Sequence, residues 1–409
     1  RFLRTEALIK DLIYCFSFHS TEKDSIDSKY FISLFIGFSY KFLQGSYIII
    51  SNLDLIDSVY SLSKLSIDNP SLEEWKLIWK YFLAESYELV VSDLNAIIEH
   101  FELTLTQVKA IAKAYRTSLN KGNNTSNQPL WNLCREHTRI NTSNLLVPMK
   151  TKAQWEQLIL PLHQQELLEQ LIAQVENRSL VYREWGLAKK ETRGLGITAL
   201  FSGSSGTGKT MAAEAIADKL DLDLYRIDLS QVVSKYIGET QKNLEEVFKL
   251  AEKNCAILLF DEADSLFAKR SDTKDSRDRY SNMEISYLLS RMENYRGVSL
   301  LTTNLKTNID NAFLRRFRFV IEFYYPNKTQ RKLLWDKLLT SHIPFEKIDT
   351  EKLSKIDING ASIRNVLLTG SFFAAETISK KLTMLHLKKA IEQEFIKLER
   401  PLTETIQDL

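Results

Sequence analysis

An apolar run in the second half of the chain ends directly in a glycine-rich loop with the spacing GxxxxGK[ST]. The run covers residues 197–202, and a helical pattern follows the loop over residues 211–220. Strand, loop and helix in this order predict an α/β fold in which the backbone N–H groups of the loop face phosphate. The predicted phosphate-binding residues are Gly203, Ser204, Ser205, Gly206, Thr207, Gly208, Lys209 and Thr210.

A second apolar run, residues 256–260, stops at two adjacent carboxylates, Asp261 and Glu262. Such a run is typical of a strand buried on both faces of a parallel sheet, and ligands bind at the carboxyl edge of these sheets. The Thr210 hydroxyl and, through water, Asp261 are predicted to hold Mg²⁺. Glu262 is predicted to polarise an attacking water. A solvated acidic turn is the alternative, and the phosphate loop upstream makes it the weaker one.

A third strand is predicted over residues 298–303 and ends at Asn304. The Asn304 side chain is placed to steer the attacking water or to touch the γ-phosphate, although an ordinary strand-ending Asn would give the same pattern. The next segment reads Asp310-Asn-Ala312-Phe-Leu-Arg315-Arg-Phe-Arg318-Phe.

These segments together resemble the AAA clade of AAA+ ATPases, which carry Thr-Asn, Asp-x-Ala and Arg-x-x-Arg-Phe in this order. The resemblance implies a P-loop AAA+ module with ATP as nucleotide and a C-terminal α-helical lid. It also implies that Arg315 and Arg318 are arginine fingers that reach the γ-phosphate of a neighbouring subunit in a homo-hexameric ring. Arg316 departs from the Pro-Gly spacing of many members, which leaves open which arginine dominates.

The resemblance extends to residues 234–239, which in the family face the central pore of the ring. Tyr236 and Ile237 would there grip a threaded polypeptide, whereas burial in the core is the alternative. A charged stretch, residues 269–279, is either a second pore loop or a plain solvated loop. Helical patterns over residues 328–339, 363–376 and 386–398 resemble the lid. Arg364 is either a phosphate sensor or an exposed helix arginine.

The first 120 residues lack a phosphate loop but repeat part of the second half. Trp79 matches Trp335 at an offset of 256, and Val108 matches Ile363 at an offset of 255. Ser51 and Asn52 stand where the two carboxylates are expected, so the first copy resembles a degenerate ATPase module. Chance similarity between amphipathic helices is the alternative. Because the chain opens with Arg1, part of this module can lie upstream.

These patterns predict four parts. Residues 1–118 form the degenerate AAA-like module, 119–150 a linker, 151–326 the large ATPase subdomain and 327–409 the helical lid. The chain has 54 Lys and Arg residues and 52 Asp and Glu residues, so its formal net charge is only +2. This charge gives no reason to expect nucleic acid as a partner. The apolar stretch 30–50 is interrupted by Lys41 and Gln44, which favours a helix and a buried strand over a membrane span. Three cysteines without CxxC pairing are typical of a reducing, cytoplasmic protein.

The sequence therefore predicts an ATP-dependent protein remodeller. Over the whole chain, the likeness is to bacterial two-module AAA proteins that are found with contractile, phage-tail-like injection systems. Assembly or recycling of such particles follows from this analogy alone. A nucleic-acid motor or loader and a nucleotide-gated scaffold are the competing hypotheses. The aromatic character of the predicted pore loop is evidence against the nucleic-acid motor or loader. The presence of Glu262 and Arg315 is evidence against a scaffold that does not turn over ATP.

Overall fold

The computed structural model describes residues 14–18, 47–51, 70–120, 128–139, 145–178, 180–187, 196–232, 239–253, 255–265, 276–304, 311–339, 343–402 and 406. The chain divides into two compact units, Arg1–Pro70 and Ser71–Leu409. In the first unit, β1 (Tyr14–Phe18) pairs in parallel with β2 (Tyr47–Ser51). Parallel pairing of consecutive strands requires a long crossover connection between them, which is typical of α/β modules. Asn52 lies outside the described residues.

The second unit begins with four helices, named here the helical domain: α1 (Leu72–Leu83), α2 (Val91–His100), α3 (Leu105–Asn120) and α4 (Gln128–Thr138). A capping box between Ser71 and Glu74 starts α1, because each residue's side chain satisfies a backbone N–H of the other. The apolar faces of the four helices enclose one core around Trp79. This domain therefore has a hydrophobic centre of its own.

A six-stranded sheet follows, built from β3 (Leu146–Met149), β4 (Ile197–Ser202), β5 (Leu224–Asp228), β6 (Ile257–Asp261), β7 (Val298–Thr303) and β8 (Phe319–Glu322). Its strand order is β3-β5-β6-β7-β4-β8, and every pairing except that of β3 is parallel. β4 and β7 are buried along their whole length. This explains the continuous apolar runs, because parallel strands are covered on both faces.

The helices associated with the sheet are α5 (Leu162–Glu176), α6 (Lys209–Leu220), α7 (Leu229–Val232), α8 (Glu239–Glu252), α9 (Ser276–Asn294) and α10 (Asn311–Leu314). Alternate side chains of the central strands enter two separate apolar clusters. Leu200 and Leu258 belong to one, and Ala199 and Leu259 to the other. The mixed α/β fold with a mostly parallel sheet was thus correctly predicted.

The C-terminal part, the lid, contains α11 (Lys328–Leu338), α12 (Thr350–Ser354), α13 (Gly360–Ala375) and α14 (Met384–Lys397). α13 begins earlier than the apolar pattern predicted, because the Asn359 side chain accepts a hydrogen bond from the Ser362 N–H and caps the helix there. Trp335 and Ile363 are fully buried in the lid core.

The helical domain and the lid bury matching residues. Trp79 and Val108 occupy the core of the first, as Trp335 and Ile363 occupy that of the second. Equal burial at sequence offsets of 256 and 255, which agree within one residue, supports the repeat. Assignment of residues 1–118 to a degenerate AAA-like module stays a prediction.

The predicted linker at 119–150 contains two ordered elements. α4 places Leu130 and Cys134 in the core of the helical domain, and β3 pairs antiparallel with β5. The turn-rich segment 120–129 dominated the sequence pattern, whereas the apolar spacing in α4 is short and was missed. Among the described residues, no helix has the length and apolar character that a membrane span requires.

Candidate nucleotide-binding site

The glycine-rich loop follows β4 and ends where α6 begins at Lys209. Gly203 has φ +147°, and a Cβ there would lie 2.2 Å from the carbonyl oxygen of Phe323. Gly206 has φ +78° and lies against the lid, because a Cβ there would come within 2.7 Å of Asn359 Nδ2. Both positions therefore require glycine for backbone conformation and for space.

The Lys209 ammonium lies inside the loop. Its Nζ donates to the carbonyl oxygens of Gly203 at 2.6 Å and Ser204 at 3.0 Å, and to Asn304 Oδ1 at 3.0 Å. Burial lowers the pKa of Lys209, and the nearby carboxylates of Asp264, Asp261 and Glu262 act in the opposite direction. The loop thus presents a largely desolvated cation beside three carboxylates.

Asp261 ends β6 and is held on both carboxylate oxygens. Its Oδ1 accepts from Thr302 Oγ1 at 2.6 Å, and its Oδ2 lies 3.2 Å from an Arg226 guanidinium nitrogen. Thr302 Oγ1 also accepts the backbone N–H of Glu262 at 3.0 Å. Glu262 has φ +54° and is exposed, so its carboxylate faces solvent while its backbone is fixed.

Asn304 follows β7, is exposed, and lies between Lys209 and Asp264, with a hydrogen bond to each. Its side-chain oxygen accepts from Lys209, and its side-chain nitrogen donates to Asp264 Oδ2 at 2.8 Å. Because β6, β7 and β4 are neighbours, the sheet brings the loop, the carboxylates and Asn304 together at one carboxyl edge. The three segments that the sequence singled out thus lie next to one another in the fold.

The arginines Arg315 and Arg318 lie at the opposite edge of the sheet. The Arg318 N–H donates to the Thr198 carbonyl at 3.0 Å, at the start of β4, whereas the phosphate loop follows the end of β4. A strand rises about 3.3 Å per residue, so the Arg318 backbone lies on the order of 16 Å from Gly203. The Arg318 guanidinium donates to Gln174 and Tyr182 of its own chain, and Arg315 is exposed.

The lid contacts the phosphate loop through the start of α13. Asn359 Nδ2 donates to the Ser205 carbonyl at 3.1 Å, and the Ala361 N–H donates to the Gly206 carbonyl at 3.4 Å. Arg364 is exposed on α13. Tyr236, Ile237 and Asp310 lie outside the described residues, as does most of the charged stretch 269–279.

Three residues of the site were missed at the level of sequence: Thr302, Asp264 and Arg226. The second acid of Asp-Glu-Ala-Asp was a usable signal for Asp264. Thr302 and Arg226 carried no local signal, because their contacts arise from the pairing of β6 with β7 and β5.

The donor set fits magnesium. The Thr210 hydroxyl and the Asp261 carboxylate are hard oxygen ligands, which Mg²⁺ prefers in combination with substrate phosphates and water. Within the described ranges, no group of three or more His, Cys, Asp or Glu side chains could hold a metal by itself. A magnesium ion at this site would therefore share its coordination with the nucleotide.

Comparison with known proteins agrees with this geometry. Residues 199–326 match the model of the ATPase family associated with various cellular activities (AAA), and residues 71–140 match that of the contractile injection system ATPase helical domain. By class, residues 199–326 thus form an AAA ATPase domain. More particularly, the chain carries an AAA domain preceded by the helical domain of contractile injection system ATPases.

Curated proteins match part of the chain. The proteasome-activating nucleotidase of Archaeoglobus fulgidus is 34% identical over 47% of this chain and 51% of its own length. The 26S proteasome regulatory subunit 6B homolog of Encephalitozoon cuniculi is 33% identical over 39% of this chain and 45% of its own. The matched region thus spans about half the length of these relatives.

Proposed function

We propose that this protein hydrolyses ATP as a ring, homo-hexameric and cytoplasmic, and uses the energy to remodel a protein substrate. The observation that carries the proposal is the division of one site between two edges of the sheet. The loop, Asp261, Glu262 and Asn304 share the carboxyl edge, whereas Arg315 and Arg318 start from the amino edge. A second copy of the chain is needed to bring both sets to one nucleotide.

The chemistry assigned to the site follows from its contacts. Backbone N–H groups of the loop and the Lys209 ammonium bind the triphosphate. Thr210 and Asp261 would hold Mg²⁺, which neutralises charge on the phosphate oxygens when bound. Glu262 accepts a proton from the attacking water, because its carboxylate is exposed beside the fixed Asp261. Asn304 orients the γ-phosphate or that water.

The neighbour's Arg315 and Arg318 would stabilise the charge that develops on the γ-phosphate. Both arginines are exposed, but the Arg318 guanidinium is already held by Gln174 and Tyr182 of its own chain, which leaves Arg315 more available to a second copy. This difference favours Arg315 as the main finger and Arg318 as its support.

A protein substrate is supported by the curated relatives and by the match of the helical domain. The curated relatives are named as activators or regulators of proteasomes. The helical domain matches a family named for contractile injection systems, which supports a role in assembling or recycling such a particle. Tyr236 and Ile237 are proposed to grip the polypeptide in the pore.

Replacing Glu262 by Gln tests the catalytic assignment. Hydrolysis is expected to fall about 100-fold or more, because a general base contributes this much. Binding of a fluorescent ATP analogue is expected to persist, because the loop is unchanged. Glu246→Gln, an exposed position on α8, is the matched control and should retain full turnover.

Unchanged hydrolysis in the Glu262→Gln variant would remove Glu262 from the mechanism. The same variant retains substrate, so the proteins that co-purify with it in the presence of ATP can be identified. Stimulation of the unmodified ATPase by DNA, and by no protein, would favour a nucleic-acid motor instead.

A further inference from the structure

Asp264 is the one acid of the segment 261–264 that has no role in the mechanism above. It lies in the 3₁₀ turn Ala263–Ser265, directly after Glu262. We infer that Asp264 is a positioning residue that fixes the side-chain amide of Asn304 for its action on the γ-phosphate. The inference rests on the proposed ATP hydrolysis and concerns the same site.

The contacts of Asp264 define the orientation of Asn304. Asp264 Oδ1 accepts from Thr303 Oγ1 at 2.5 Å and from the Asn304 backbone N–H at 2.8 Å. Asp264 Oδ2 accepts from Asn304 Nδ2 at 2.8 Å. Because the amide nitrogen is fixed on this side, the amide oxygen faces the Lys209 ammonium at 3.0 Å. An amide turned by 180° would point N–H groups at the cation.

Asp264 also ties two strand ends together. It belongs to the turn that continues β6 past Glu262, and its hydrogen bonds end on Thr303 and Asn304 at the end of β7. The side chain of Ala263, in the same turn, is buried in one apolar cluster of the sheet. The Asp264 carboxylate, which touches neither substrate nor metal in the mechanism above, thus helps to hold the segment of the proposed base beside Asn304.

Charge is essential to this arrangement, because a carboxylate accepts on both oxygens and donates on neither. Asp264→Asn keeps the size of the side chain but replaces one acceptor by an N–H donor. If the new amide nitrogen takes the place of Oδ1, the backbone N–H of Asn304 loses its acceptor. If it takes the place of Oδ2, the side-chain N–H of Asn304 loses its acceptor. A donor that faces another donor is repelled, and the exposed Asn304 amide can bond to water instead, so it is expected to reorient.

The test is a double-mutant cycle on ATP turnover with the full chain. Asp264→Asn is expected to lower kcat about 10- to 100-fold with ATP affinity changed less than about threefold, because an orienting contact is lost rather than a binding one. Asn304→Ala is expected to have a similar effect. Combining the two changes should be no worse than Asn304→Ala alone, since Asp264 acts through Asn304. Asp336→Asn, an exposed acid on α11, is the matched control.

Additive losses in the double variant would overturn the inference, because a purely structural acid would act independently of Asn304. Thr303→Val provides a second variant, which removes one hydrogen bond to Asp264 but leaves both bonds to Asn304. Its kcat is expected to stay within about threefold of the unmodified chain. A loss as large as that of Asp264→Asn would assign the effect to the turn and not to Asn304.

A readout without turnover separates this inference from the proposed function. The ratio of ATP to ADP affinity can be measured in the Glu262→Gln background, in which ATP persists. Asp264→Asn and Asn304→Ala are expected to reduce that ratio equally, and together no further. Absence of hydrolysis in the unmodified chain would overturn the proposed function alone, whereas unequal or additive changes of the ratio would overturn the role of Asp264.

Discussion

Thr302 shows how much of the site depends on a single hydroxyl. It is buried in β7, donates to Asp261 Oδ1 and accepts the Glu262 N–H. The first bond orients a proposed metal ligand, and the second fixes the backbone of the proposed base. Glu262 holds a left-handed φ of +54°, which costs a non-glycine residue roughly 1 kcal/mol and persists only when its surroundings fix it.

Thr302→Val is therefore expected to impair turnover and stability together. The methyl group that replaces the hydroxyl leaves the Glu262 N–H without this acceptor, at a cost of about 1–3 kcal/mol in unfolding free energy. Turnover should fall at least tenfold. Denaturant unfolding and steady-state hydrolysis are the two measurements.

Ser299, on the same strand, is the matched control for this change. Its buried hydroxyl oxygen has no hydrogen-bond partner among the described residues. Ser299→Ala should therefore be neutral or slightly stabilising, because a buried hydroxyl without a partner is unfavourable. Equal losses in the two variants would mean that the hydroxyl bonds of Thr302 have no special importance.

One attachment of the helical domain to the ATPase domain is made by α4. Arg135 pairs with Asp221 at 2.5 Å and with Asp223 at 2.8 Å, and Trp131 Nε1 donates to the Asp221 carbonyl at 3.0 Å. Asp221 and Asp223 lie in the turn between α6 and β5. Since α6 starts at Lys209, one helix connects this attachment to the phosphate loop.

Arg135→Ala is expected to loosen this attachment. Asp223 is only 6% exposed at its side chain, and a buried carboxylate that loses its ion-pair partner costs about 3–5 kcal/mol. We expect a cost near the lower end of that range, because Arg135 is itself 26% exposed. Hydrogen exchange should increase in α4 and in the turn between α6 and β5.

Arg116→Ala, at an exposed position of α3, is the control for loss of an arginine in the same domain. Arg135→Lys should recover part of the loss, because lysine can pair with one carboxylate but cannot span both. Unchanged exchange in the turn of the Arg135→Ala variant would show that the attachment does not depend on this ion pair.

The parts of the fold that could be predicted from sequence are those with local signals. The phosphate loop, the carboxylates at the end of β6 and Asn304 after β7 each follow an apolar run, and parallel strands bring such ends together. Asp264 and Thr302 act through contacts between β6 and β7, which no short window contains. α4 was missed because a turn-rich segment precedes a short apolar pattern.

The partners of Arg318 were unpredictable for the same reason. Gln174 and Tyr182 are distant in sequence and reach the guanidinium only because α5 and the turn after it lie beside the start of β8. The family resemblance implied two arginine fingers and left open which of them dominates. Both are exposed, and they differ in that the Arg318 guanidinium is hydrogen-bonded to Gln174 and Tyr182 within its own chain.

A site divided between copies of the chain makes a distinctive prediction for mixed assemblies. Lys209→Ala removes phosphate binding but leaves the arginines, whereas Arg315→Ala removes one finger but leaves the phosphate loop. Each variant alone is expected to hydrolyse ATP at a small fraction of the unmodified rate, because every site lacks one part.

Mixing the two variants in equal amounts and allowing subunits to exchange should restore activity. An intact loop next to an intact Arg315 arises at about a quarter of interfaces when subunits combine at random in a closed ring. Recovery to roughly that fraction of the unmodified rate is therefore expected, with a dependence on protein concentration that follows assembly. Turnover by dilute monomers of the Arg315→Ala variant, or a mixture as inactive as its components, would contradict an active site completed by a neighbouring copy.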